Sequence, residues 1–176
     1  MDVIGRAPAT EQGAMFRRSA WGWRALADYT MRIGGDVAAK CGYWHTNDGD
    51  GLDAEDSAAL AEIIGQALES GEAERCVVER KAALDALPLV PCRFCEGTGV
   101  RNDDVGRKSG MVFKTVGPEE AERVDFPHPR IGQIGTCNAC ASAGMSRHPD
   151  TLYHLELEDI REWRAFLAAC GGFEIH

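Results

Sequence analysis

The sequence predicts a small α+β protein with a helical core, short strands and one inserted module. Apolar residues recur at helical spacing in several segments, and short strand-like runs lie between and after them. A stretch rich in Gly, Pro and charge separates residues 1–90 from residues 149–176. The 176 residues suffice for one hydrophobic core and a smaller module. We predict that residues 1–90 form the helical N-terminal part of the core, residues 91–148 the module, and residues 149–176 a helix and strand that complete the core.

The first predicted helix covers residues 10–33. The Gly34-Gly35 pair is expected to end it, because glycine readily adopts the left-handed conformation that closes a helix. A short strand is predicted over residues 42–46, where aromatic residues precede an Asn-Asp-Gly turn.

The clearest helix begins after Asp53, whose carboxylate can cap it, and ends at Gly71. A third helix is predicted over residues 72–87, where Pro88 breaks it. These helices supply the apolar faces from which a core can be built.

The second half of the chain carries shorter elements. A strand is predicted over residues 111–116, and a short helix at Pro118, since proline favours the first helical turn. The last helix is predicted over residues 158–169 and a final strand over residues 173–175. We expect this strand to pair near residues 43–45.

Two cysteine pairs are the most informative feature of the chain. They have the spacing C-x-x-C, and each is followed by small residues; they are Cys92 with Cys95 and Cys137 with Cys140. A C-x-x-C turn, or knuckle, places two thiolates on one side, and two such knuckles supply the four sulfurs of a tetrahedral zinc site. We therefore predict one structural Zn²⁺ bound by these four residues. Four thiolates leave no open position for a catalytic water, which argues against zinc catalysis.

A redox dithiol and disulfides are the alternatives to zinc. A redox C-x-x-C usually occurs as one pair opening a helix, whereas this chain has two pairs in turn-forming sequence. The N-terminus has no apolar run of signal-peptide length and no segment is long enough to span a bilayer, so we expect a reducing cytoplasm. His128 and His148 are close enough in sequence to act as substitute ligands, although surface positions suit them better. Small buried apolar positions are expected for the three unpaired cysteines, Cys41, Cys76 and Cys170.

Composition limits the class of partner. The net charge is −9 and no long basic run occurs, which disfavours nucleic acid and suits a protein partner with a basic surface. No membrane association is expected. The chain has no phosphate-binding loop, nucleophile elbow or H-E-x-x-H motif, and we predict that it is not an enzyme. His45 with Asp48 or Asp50 could form an acid–base pair, but one histidine near an aspartate in sequence is common by chance and does not indicate an active site.

The first knuckle has the sequence C-x-x-C-x-G-x-G over residues 92–99 and resembles the cysteine-rich repeat of DnaJ-type chaperones. The second knuckle departs from it, since Ser142 occupies the place of the first glycine. In that family four such repeats build two zinc sites that help to contact client proteins. Two repeats imply one site here, and no J-domain is recognisable.

Other segments resemble pieces of small, largely uncharacterised proteins of phages and bacterial genomes. They are residues 21–26, the Asn47-Asp48-Gly49 turn, residues 97–111 and residues 170–175. The resemblance implies one fold with a zinc insert and a mobile-element origin. The sequence thus suggests a non-catalytic, zinc-stabilised accessory protein that binds and inhibits a host protein complex, such as a defence system, in the bacterial cytoplasm. The alternative is a zinc-finger nucleic-acid binder that uses Arg93, Arg101, Arg107, Lys108 and Lys114.

Overall fold

In the computed structural model, which describes residues 1–126 and 130–176, helices alternate with short antiparallel strands. The helices are α1 (Ala20–Ala38), α2 (Ala54–Glu69), α3 (Glu72–Asp85), α4 (Asp104–Lys108), α5 (Pro118–Ala121) and α6 (Leu157–Ala169). The strands are β1 (Asp2–Gly5), β2 (Met15–Arg17), β3 (Val90–Pro91), β4 (Met145–Ser146) and β5 (Phe173–Ile175). Single 3₁₀ turns occupy Glu11–Gly13, Met111–Phe113 and Pro149–Leu152. The predicted α+β class is confirmed.

The described residues form two units, each with its own packing. The core unit contains residues 1–86 and 150–176, and the cysteine module contains residues 87–149. Strands β1, β2 and β5 belong to the core unit and form one sheet in the order β2-β1-β5. Strands β3 and β4 form a two-stranded sheet in the cysteine module.

The sheet of the core unit joins segments from both ends of the sequence. Val3 lies opposite Phe16 on one side and opposite Ile175 on the other, and all three side chains are buried. Because side chains alternate between the faces of a strand, the sheet presents one apolar face to the core. The predicted strand at the C-terminus is confirmed, but its expected partner is wrong, since β5 pairs with β1.

The segment predicted as a strand over residues 42–46 is instead a turn. The Asp50 carboxylate accepts hydrogen bonds from the Gly42 and Tyr43 amides, at 2.6 and 3.0 Å, which occupies amides that a sheet would need. The Trp44 side chain is buried, and its indole donates to the Ala38 carbonyl at 3.0 Å. A carboxylate and an anchored indole thus fix this loop.

Helix α1 begins later and ends later than predicted. The residues before it form the 3₁₀ turn and β2, and the Ser19 hydroxyl caps the helix by accepting from the Gly22 amide at 3.2 Å. Gly35 interrupts the helix with a φ of 49°, yet the chain resumes helical geometry as far as Ala38. The glycine pair therefore breaks the helix but does not stop it.

Four other helices follow the sequence prediction closely. Helix α2 begins after Asp53, whose carboxylate accepts from the Asp56 amide at 2.9 Å. Helices α3, α5 and α6 also lie where they were expected. The strand predicted over residues 111–116 is wrong, because residues 111–113 form the 3₁₀ turn and only Thr115 bridges to another residue, Ile134.

Aromatic side chains fill the centre of the core unit. Trp163 on α6 has no solvent exposure, and five aromatic rings surround it at centroid distances of 5.0–6.4 Å. These rings belong to Phe16, Trp23, Trp44, Phe166 and Phe173. Trp163 therefore lies at the centre of an aromatic cluster whose rings come from the sheet, from α1 and from α6 itself.

We expect Trp163→Ala to lower the free energy of unfolding by about 3–5 kcal/mol, since truncating a fully buried aromatic leaves a large cavity. Trp21→Ala is the control, because Trp21 is 46 % exposed and lies edge-on to Tyr153, and it should cost about 1 kcal/mol. Urea unfolding followed by circular dichroism measures both. Equal losses in the two variants would contradict the central role of Trp163.

Candidate metal centre

The two knuckles have the same backbone structure at positions 45 residues apart. Each knuckle contains two turn hydrogen bonds at matching positions. In the first knuckle they run from Gly97 N to Cys92 O (3.3 Å) and from Thr98 N to Cys95 O (2.9 Å). In the second they run from Ser142 N to Cys137 O (2.9 Å) and from Ala143 N to Cys140 O (2.9 Å). The chain thus reverses in the same way twice. This repetition makes the two halves of the site equivalent.

Backbone conformation carries the same repetition. Three residues in each knuckle have positive φ. In the first knuckle they are Glu96 (51°), Gly97 (82°) and Gly99 (74°). In the second they are Ala141 (46°), Ser142 (63°) and Gly144 (79°). Every non-glycine residue with positive φ in the described chain lies in these two knuckles. The left-handed conformation costs a non-glycine residue about 1–2 kcal/mol, so other interactions must hold the knuckles in place.

The glycine that ends each knuckle packs against the other knuckle. A Cβ on Gly99 would lie 2.4 Å from the Ser142 carbonyl oxygen, and one on Gly144 would lie 2.4 Å from the Gly97 carbonyl oxygen. Only glycine allows so close an approach at both places. The two knuckles therefore face each other and are related by an approximate two-fold axis.

The four cysteine sulfurs meet where the knuckles face each other. All four Sγ atoms lie within 4.8 Å of one another, and Cys95 Sγ is 3.7 Å from Cys140 Sγ. Zinc–sulfur bonds of about 2.3 Å in a tetrahedron give sulfur–sulfur separations of about 3.8 Å. A disulfide would need about 2.05 Å, and all four cysteines are free thiols. The spacing fits one shared metal ion.

Backbone amides point at the sulfurs in matching positions. The first cysteine of each pair accepts from the amides two and three residues later, and the second accepts from the glycine four residues later. The Gly99 amide, for example, lies 3.3 Å from Cys95 Sγ. Such N–H donors stabilise thiolate, which is the form that binds metal.

Burial opposes ionisation of these thiols. All four residues are buried, and burial raises the pKa of the Cys137 and Cys140 thiols. Burial acts on Cys92 too, but the amides of Phe94 and Cys95 outweigh it and hold the pKa of that thiol below its usual value. Four buried thiolates so close together require a cation, and Zn²⁺ supplies the charge and a tetrahedral preference. The residues present therefore fit a structural zinc site bound by Cys92, Cys95, Cys137 and Cys140.

The other candidate residues lie apart from the four sulfurs. Within residues 1–126 and 130–176, no histidine belongs to a potential metal-binding group, which excludes His148 as a described ligand; His128 lies outside the described residues. Cys41 and Cys170 are buried in the core unit as expected, whereas Cys76 is only partly buried. His45 pairs with Asp28 at 3.1 Å, a partner that the sequence did not indicate.

One feature of the module that sequence patterns missed is an aromatic ring with two guanidinium groups close to it. Phe94 is 40 % exposed, and the guanidinium carbons of Arg93 and Arg101 lie 4.7 and 4.9 Å from the centre of its ring. Neighbouring Arg93 and Phe94 were a signal, but Arg101 becomes their neighbour only after the first knuckle turns the chain.

The fold and the site together define a small α+β protein with a module that contains a candidate four-cysteine metal site. Searches against protein-family models, curated proteins and solved structures found no match to this chain. Among the described residues, no helix has both the length and the apolar character required to cross a membrane.

We expect Cys92→Ser and Cys140→Ser to abolish binding of one zinc ion per chain, because each removes one of four ligands. Cys41→Ser and Cys170→Ser are the controls and should keep the zinc, since both thiols lie in the core unit. Metal content of the purified variants, measured by plasma mass spectrometry, gives the result. Equal zinc in all four variants would refute the ligand set.

The Ser142 side chain offers a second test of the knuckle structure. Its hydroxyl accepts from the buried Cys137 amide at 3.0 Å, so Ser142→Ala should cost about 1–3 kcal/mol and weaken zinc binding about 5- to 100-fold. Ser142→Gly loses the same bond but relieves the strain of a positive φ, and should bind zinc about fivefold more tightly than the alanine variant. Competition with a chelator measures both affinities. A glycine variant no better than the alanine variant would show that backbone strain is unimportant there.

Proposed function

We propose that this chain is a non-catalytic, zinc-stabilised protein that binds another protein through its cysteine module. The observation that carries the proposal is the exposure of large apolar side chains on the segment between the knuckles. Phe113 is 81 % exposed and Ile134 is 67 % exposed, while Val105 and Ile131 are about half exposed. Exposed apolar side chains concentrated in one small unit are typical of interaction sites.

The backbone beneath these side chains is held in place. Residues 114–116 run antiparallel to residues 133–135, with hydrogen bonds from Val116 N to Gln133 O (2.9 Å) and Gly135 N to Lys114 O (2.8 Å). The 3₁₀ turn before them is tied to the same segment by the bond from Thr136 N to Met111 O (2.9 Å). Residue 136 directly precedes the second knuckle. A metal ion at the knuckles would therefore fix the segment that presents Phe113 and Ile134, and a surface ordered in advance loses less entropy on binding.

The distribution of charge supports a partner with a basic surface. The cysteine module has eight Lys and Arg against seven Asp and Glu, a net charge of +1. The core unit has the other eleven Lys and Arg and the other twenty-one Asp and Glu, which gives it a net charge of −10. The net negative charge of the core unit can attract a partner with a basic surface.

The more specific form of the proposal concerns origin and target. Likeness to small proteins of phages and bacterial genomes supports a mobile-element accessory protein that inhibits a host complex, such as a defence system, in the bacterial cytoplasm. The DnaJ-type assignment of the knuckles gains support from their shared backbone conformation, which Ser142 adopts in place of glycine. A centre with four protein sulfurs has no position for substrate, which supports a role without catalysis.

Nucleic-acid binding is the second candidate, and one arrangement favours it. Phe94 is an exposed aromatic ring of the kind that stacks on bases, and the neighbouring Arg93 is an exposed cation that can contact phosphates. The concentration of eight basic residues in a unit of net charge +1 also distinguishes the module from the rest of the chain.

The test is affinity capture from a nuclease-treated bacterial lysate, comparing wild type with the double variant Phe113→Ser, Ile134→Ser. We expect one stoichiometric protein to be retained by wild type and lost by the double variant, with zinc content unchanged. Val78→Ser is the matched control, because Val78 is 66 % exposed but lies on α3 of the core unit, and it should retain the partner.

Two results would contradict the proposal. A partner retained by the double variant would place the interface elsewhere. Capture of nucleic acid in place of protein when nuclease is omitted, with affinity that falls steeply as salt rises, would support the second candidate.

A further inference from the structure

The exposed apolar side chains of the cysteine module lie in two segments whose only charged residues are cations. We define the basic patch as residues 105–117 and 130–136, which include Phe113 and Ile134. Lysine and arginine occupy four of these positions and aspartate and glutamate none, so the patch has a charge of +4 in a chain of net charge −9. The four cations are Arg107, Lys108, Lys114 and Arg130. The sign of the charge thus reverses where the apolar residues are exposed.

The acids of the module do not neutralise the patch. Three of them pair with cations outside it, and these ion pairs are Arg101–Asp103, Arg123–Glu120 and Arg147–Asp125. In the described part of the chain no ion pair involves Arg107, Lys108 or Lys114, and all three residues are exposed. The acids that border the patch in sequence, Asp104 and Glu119, form no described ion pair with them. The patch therefore keeps its positive charge.

Hydrogen bonds hold the two segments of the patch side by side. Thr115 lies opposite Ile134, and the Gly132 amide donates to the Val116 carbonyl oxygen at 2.8 Å. The fourth cation, Arg130, donates its Nη2 to the Ile134 carbonyl oxygen at 2.9 Å. The exposed apolar side chains and the cations therefore belong to one ordered piece of backbone, which can meet a partner as a unit.

The apolar residues and the cations contribute differently to binding. Phe113 is 81 % exposed, more than any other large apolar side chain in the described chain, and a buried aromatic anchor supplies much of the affinity of an interface. Exposed cations around such an anchor are well solvated and add little affinity. They speed the encounter with an anionic surface and disfavour a cationic one, so their sign selects the partner.

We propose that the basic patch binds an acidic amphipathic segment of the partner protein, in which carboxylates flank large apolar side chains. This rests on the function proposed above and names the part of the partner that contacts the module. The apolar side chains of that segment pack on Phe113 and Ile134, and its carboxylates lie toward Arg107, Lys108 and Lys114. A basic surface elsewhere on the same partner can still face the acidic core unit.

A nucleic acid matches the charge of the patch but not its apolar residues. Bases stack on aromatic rings, and Phe113 is the one aromatic residue of the patch. The aliphatic side chains of Val105, Ile131 and Ile134 are each about half exposed or more and would gain little from bases and phosphates. The apolar side chains of a protein segment can cover them, which favours a protein over a nucleic acid here.

The experiment is a selection from a random dodecapeptide library displayed on phage, with the full zinc-loaded chain as bait. The double variant Phe113→Ser, Ile134→Ser removes peptides that bind elsewhere. We expect the enriched peptides to have a net charge of about −2 or below and at least two large apolar residues. No enrichment over the double variant would overturn the inference.

Two outcomes of the selection separate this inference from the proposed function. Enriched peptides that are neutral or basic, yet require Phe113 and Ile134, would overturn the acidic segment and leave protein binding through the module standing. Enriched peptides that bind the double variant as tightly as wild type would overturn both, because the apolar residues would then have no role.

Charge variants test the cations directly with the best selected peptide, by fluorescence anisotropy. The triple variant Arg107→Gln, Lys108→Gln, Lys114→Gln should weaken binding about tenfold at low salt, and the difference should shrink as salt rises. Arg93→Gln is the matched control and should leave binding unchanged, since Arg93 is an exposed cation of the module outside the patch. Equal binding by the triple variant and wild type would overturn the proposal.

Two further probes test the other anionic partners. A single-stranded oligonucleotide, or vesicles of phosphatidylcholine and phosphatidylserine, should bind wild type more weakly than the peptide does and should not compete with it. Tighter binding of either probe, lost in Phe113→Ser, Ile134→Ser, would assign the patch to nucleic acid or to a lipid surface and would overturn the proposal.

Discussion

The meeting of four cysteine sulfurs within 4.8 Å is the constraint on which the cysteine module depends. The four cysteines form the only cluster of buried apolar residues in the described part of this unit. Its two knuckles also hold three non-glycine residues in the costly left-handed conformation. Bonds from a metal ion to four thiolates can outweigh this strain, because zinc binding contributes directly to the folding free energy of such small units.

The core unit relies on a different source of stability. Trp163 and the rings around it bury a large aromatic surface, and burial of this kind needs neither metal nor strain. The two units differ in charge as well, since the core unit has a net charge of −10 and the module +1. One chain therefore combines an acidic unit stabilised by apolar packing with a nearly neutral unit whose four clustered cysteines fit one metal ion.

Sequence reasoning succeeded where the signal was local. Asp53 marks the start of α2 because a cap acts within one turn, and the C-x-x-C spacing places two sulfurs together whatever the rest of the chain does. It failed where the partner was distant, as with Val3, which lies opposite Ile175. It also could not foresee that Asp50 would occupy the amides of residues 42 and 43, or that Ser142 would take up a positive φ.

Strands β3 and β4 have a consequence for how such a module can arise. Val90 stands opposite Ser146, so the chain enters and leaves the knuckles through neighbouring strands, about 5 Å apart between Cα atoms. A unit whose two ends are this close can be spliced into a surface loop of an unrelated scaffold without stretching it. The cysteine module thus has the geometry of a transferable cassette, one that recombination can move between proteins as a single piece.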